Sequence, residues 1–68
     1  MPVTKIIEIV GSSPESSDEA VREALAAANR SIRGISRIEV VSVQCAVQDG
    51  GIARWEATVK IHFPVEAR

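Results

Sequence analysis

Apolar positions along the chain follow a two-residue repeat in three stretches and a helical repeat in one. Residues 3–10, VTKIIEIV, are rich in Val and Ile and predict a strand. Ile7 and Ile9 fall on one face, Ile6 and Val10 on the other. A strand of a free-standing single-layer sheet alternates more cleanly. The double-sided pattern therefore predicts a second covered face, buried by another subunit. GSSP, residues 11–14, is expected to end this strand. Gly11 can take backbone angles closed to other residues, and Pro14 stops the ladder.

A helix follows. Ser16 at the N-cap and Glu19 three residues later have the spacing of a capping box. Val21, Leu25, Ala28, Ile32 and Ile35 form one apolar stripe, and Gly34 is the expected C-cap. Ala20, Ala24 and Ala27 make a small-residue flank suited to close packing. Asp18, Glu19 and Glu23 lie near the positive end of the helix dipole, Arg30 and Arg33 near the negative end.

Residues 37–47, RIEVVSVQCAV, predict a long strand whose apolar phase shifts near Val40 and Val41. A bulge or burial of both faces explains such a shift. Asp49-Gly50 marks a tight hairpin. The last strand runs from about Ile52 to Phe63. Trp55, Ala57, Val59, Ile61 and Phe63 share one face, and Arg54, Glu56, Thr58, Lys60 and His62 the other. The order is β-α-β-β, an α+β domain spanning residues 1–68. A right-handed crossover makes the first two strands parallel. With the third strand between them, every neighbouring pair is antiparallel, and one helix packs on a curved three-stranded sheet.

Size changes this picture. A 68-residue chain sits where one core rarely supplies more than about 3–5 kcal/mol. Cys45 has no partner for a disulfide, and one Cys with His62 cannot make a usual zinc site. Oligomerisation is the remaining expectation. A net charge of −1 gives no basic excess for nucleic acid. No apolar run approaches the roughly 20 residues of a membrane span. With no signal-peptide pattern ahead of the strand at Val3, a cytoplasmic location is expected.

Candidate chemistry is sparse. Ser12, Ser13, Ser16 and Ser17 fit turn and capping roles. His62 has no Ser, Cys or Asp partner at a fixed spacing and reads as a solvated or interface histidine. Cys45 reads as a buried, apolar-like cysteine. No enzyme is expected.

KIIEIVGSSPES near the N-terminus, SIRGI, IEVV, the DGG hairpin and the ATVKIHF ending occur in an order and spacing that resembles the dodecin family over roughly residues 4–66. The resemblance implies the β-α-β-β unit and a hollow homododecamer. It implies a non-enzymatic protein that stores or buffers flavin, FMN or riboflavin, as stacked pairs between tryptophans of symmetry-related subunits. Two positions depart from the family pattern. The stacking tryptophan is replaced by Arg37, and the glutamine that bonds the flavin ring edge by Glu56. Trp55 matches a different aromatic and reads as a core or interface residue. Ser36, Ser42 and Gln44 fall at or near pocket-lining positions, with solvent or subunit contact as the plainer reading.

Strand phase places Arg37 and Glu56 on the face away from the helix, where an ion pair between them is expected to fill flavin space. An arginine can instead stack on a planar ring. The alternative function is a flavin-free dodecin-like assembly that binds another small molecule, an anion at Arg37, Arg33 and Arg30, or a metal ion. In that reading Glu8, Glu39 and Glu56 gather around symmetry axes to hold a hard cation.

Overall fold

The computed structural model describes residues 3–65; the residues at either end of the expected 1–68 domain lie outside the described range. The order is β1 (Val3–Ser13), α1 (Ser17–Asn29), β2 (Arg37–Gln48) and β3 (Gly51–Val65). The three strands form one sheet in the order β1-β3-β2, antiparallel at both junctions, as the sequence predicts.

The β2–β3 hairpin turns through Asp49 and Gly50, with φ of 54° and 79°. Two consecutive left-handed residues suit the right-handed twist of the flanking strands. The expected bulge is present. Val40 pairs with Val59 and Ser42 with Thr58, which leaves Val41 as the extra residue. It restores the phase, so Ile38 and Val40 before it share a face with Val43 after it. A second register shift lies between Ala46 and Val47. Such irregularities bend a strand and increase its twist.

Two boundaries differ from expectation. β1 runs through Gly11 to Ser13 instead of stopping at Val10. Gly11 is a place of close approach and not a strand terminator. A Cβ there would collide with the Ala20 carbonyl oxygen and come within 2.8 Å of the Ala24 Cβ. The helix ends at Asn29 with Arg30 as C-cap, not at Gly34. Arg30 and Ile32 donate their backbone N–H to Ala27 and Ala28 carbonyls and close the last turn. Gly34, at φ 74°, lies in the irregular connection between α1 and β2. Ser16 caps the N-terminus by accepting from Glu19 N–H at 3.1 Å. Glu19's own side chain turns instead to Arg22, 3.5 Å away.

The buried core is Ala20, Ala24, Ala28, Ala57, Val59 and Ile61. The helix therefore lies on its alanine line, and Val21, Leu25, Ile32 and Ile35 flank that line half-buried. Alanines let the helix axis approach the sheet closely, but they bury little area each. The fold is elongated, 53 × 19 × 13 Å, with a radius of gyration of 14.0 Å. A compact domain of this length has roughly 11 Å. The helix leans on β1 and β3 and barely reaches β2, which is exposed along most of its length.

Candidate ligand-binding face

Residues paired directly across antiparallel strands share a face. Ala57, Val59 and Ile61 face the helix, so their neighbours in β3 define the open face. Register then fixes its rungs. Ile6, His62 and Arg37 form one, and Glu8, Lys60 and Glu39 the next. Val10, Thr58 and Ser42 follow, then Ser12, Glu56 and Gln44. Apolar Ile6 and Val10 remain 49% and 62% exposed on this face, so its covering, if any, must come from outside the chain.

Arg37 and Glu56 both lie on the open face, as their phase predicts. The ion pair expected between them does not form within the chain. Arg37 pairs with His62 and Glu56 with Gln44, six positions apart along β3. At about 3.4 Å per residue that is about 20 Å. The physical reason is the hairpin: Glu56 lies near it, while Arg37 opens β2 at the far end of the ladder. Glu56 instead accepts from Arg54 Nε at 3.0 Å. Arg54 is exposed and Glu56 half-buried at the surface, and a surface pair of this kind is worth about 0–1 kcal/mol. Among the described residues Arg37 has neither an ion pair nor a side-chain hydrogen bond.

Ser36 is tied to the sheet. Its N–H and its hydroxyl both donate to the His62 carbonyl, at 2.9 and 3.3 Å. This anchors the start of β2 and fixes where Arg37 emerges. A groove of about 250 Å³ opens beside it, lined by Leu25, Asn29, Ile35, Ser36, Arg37 and Ile38. It exists because the helix leaves β2 uncovered. The structure thus joins Ser36 and Arg37 in one groove and leaves Ser42, Gln44 and Glu56 further along the sheet. Leu25, Ile35 and Ile38 read as core positions in the sequence, and Asn29 carried no signal there. Typical small-ligand pockets span about 300–1,000 Å³. A flavin-sized molecule would need further walls.

Cys45 differs from expectation, and of the two readings of His62, solvated or interface, the solvated one falls away. Cys45 is exposed and not buried, because it sits on the uncovered strand β2 opposite Trp55. The His62 side chain is only 18% exposed, so it is not a solvated histidine. Its Nε2 is buried without a hydrogen-bond partner, 3.7 Å from Glu39 Oε1. Trp55 packs half-buried against the core, as its phase predicts. Among the described residues no three His, Cys, Asp or Glu side chains converge. Among the described residues no helix is long and apolar enough to cross a membrane.

A helix on an antiparallel β1-β3-β2 sheet, with a small alanine-rich core and an open polar face, defines the class as a small single-sheet α+β domain. The particular family follows from comparison: the family model described as Dodecin matches residues 3–66. The chain belongs to the dodecin family. A curated dodecin of Thermus thermophilus is 28% identical over 64 residues, covering 94% of this chain and 93% of that protein. A dodecin structure from Streptomyces coelicolor superposes with a TM-score of 0.94 at 33% identity, over 98% of this chain and 96% of that one. A more distant likeness, TM-score 0.84 at 30% identity, is to a calcium-chelating antigen of Mycobacterium tuberculosis called calcium dodecin; it covers 94% of this chain and 91% of that one.

Proposed function

We propose that this protein is a non-enzymatic binding and storage protein for a flavin-type ligand, FMN or riboflavin, that works as a cytoplasmic homododecamer. The observation that carries the reading is the family match over residues 3–66. The geometry adds support. Arg37 is among the residues that line an incomplete groove, its side chain has no ion pair or hydrogen bond among the described residues, and a planar cation of this kind stacks on aromatic rings. Arg37 and Glu56 are too far apart along β3 to touch one ligand from the same chain. If both act on a flavin, they come from different copies. Ser36 positions Arg37, while Ser42 and Gln44 border Glu56 on the same face.

The test is quenching of FMN and riboflavin fluorescence by the purified assembly. Saturable quenching supports the storage reading. Glu56 accepts hydrogen bonds but does not donate as glutamine does. The double variant Arg37→Trp with Glu56→Gln is therefore expected to bind FMN at least about tenfold more tightly, a difference of about 1.4 kcal/mol. An assembled double variant with no gain would show that the ligand site lies elsewhere.

A second reading keeps the assembly and changes the ligand. It is favoured by the same two residues, and by the calcium-chelating relative. Glu8 and Glu39 flank Lys60 on the open face, and Glu56 lies two rungs away. A hard-cation site would therefore have to draw carboxylates from several copies, whereas an anion would be drawn to Arg37.

A further inference from the structure

His62 occupies an unusual position. Its Nε2 is buried and has no hydrogen-bond partner, and the group nearest to it in charge is the Glu39 carboxylate, 3.7 Å away. That separation is too long for a hydrogen bond, which spans about 2.7–3.2 Å between heavy atoms. It is shorter than the roughly 4.0–4.3 Å sum of a zinc–imidazole and a zinc–carboxylate bond. One ion can therefore touch both atoms while subtending a bent angle at the metal.

We propose that His62 Nε2 and Glu39 Oε1 are two protein ligands of a site for a divalent first-row transition ion, with water completing the coordination. The nitrogen donor sets the class of ion. Imidazole suits zinc, copper and nickel, whereas calcium and magnesium take oxygen donors. Burial of Nε2 costs stability when the atom has no partner, and a bound ion would supply one. Glu39 is 56% exposed and free to swing aside as the ion enters.

Neighbouring charges temper the affinity. Arg37 lies across from His62, and Lys60 lies between Glu39 and Glu8. Two cations thus face two carboxylates around the imidazole, and only two protein ligands are supplied. The site is accordingly a labile one.

The test uses the untagged full chain, stripped with a chelator and free of flavin, so its outcome is independent of the flavin reading. Cu²⁺ is added at one equivalent and pulsed electron paramagnetic resonance is recorded. His62 is the only histidine in the sequence, so an imidazole nitrogen signal identifies it without any variant. The signal is expected in the wild type and absent in His62→Ala. Calorimetric Zn²⁺ titration is expected to show about a tenfold or greater loss of affinity in Glu39→Gln. Absence of an imidazole signal in the wild type would overturn the proposal. So would zinc affinity unchanged in both variants.

Discussion

At the scale of residues, Gly11 fixes where the helix sits. Its missing Cβ makes room for the Ala20 carbonyl oxygen and the Ala24 methyl. Gly11→Ala forces an atom into that contact, and overpacking of this kind costs about 1–3 kcal/mol. The expected result is a lower urea midpoint at fixed protein concentration; an unchanged midpoint would contradict the close approach. The sequence pointed to Gly11, but as a strand end. A glycine before Ser-Ser-Pro reads as a turn because local spacing does not reveal which helix residue lies above it. His62 was illegible for a similar reason. Its place on the polar face of β3 was plain, but the neighbours that bury its ring come from register.

At the scale of elements, local chemistry decided most of the outcome. Asp49-Gly50 makes the hairpin, the phase shift near Val41 makes the bulge, and Ser16 caps the helix. Ser16→Ala leaves the Glu19 N–H without its acceptor and is expected to cost about 1 kcal/mol. Glu19→Ala should cost much less by the same denaturation measurement, because Glu19 turns to Arg22 and the capping box is only half made. Equal losses would show that the reciprocal bond forms in solution. The helix end was misplaced because Ile32 and Ile35 continue the apolar stripe. They do pack against the core, but from an irregular connection beyond Arg30. Periodicity marks burial; it does not by itself require helical backbone.

At the scale of the whole molecule, the core is too slight for the surface it supports. Among the described residues six small or medium hydrophobic side chains are buried, while Ile6, Val10, Val40, Val41, Val43, Val47 and Ile52 are left exposed. Double-sided apolarity in β1 made this legible from sequence, as did the chain length. Strand phase also gave the correct face for Arg37 and Glu56. Their separation was not legible, because it depends on counting register from the hairpin to the far end of the ladder. The central claim is that this chain is one part of a ligand-holding shell. Native mass spectrometry with and without FMN tests it most directly. The expected result is a species of twelve chains, each of 7.3 kDa, that gains flavin masses when FMN is added. A monomer or dimer at micromolar concentration, with no flavin adduct, would contradict it.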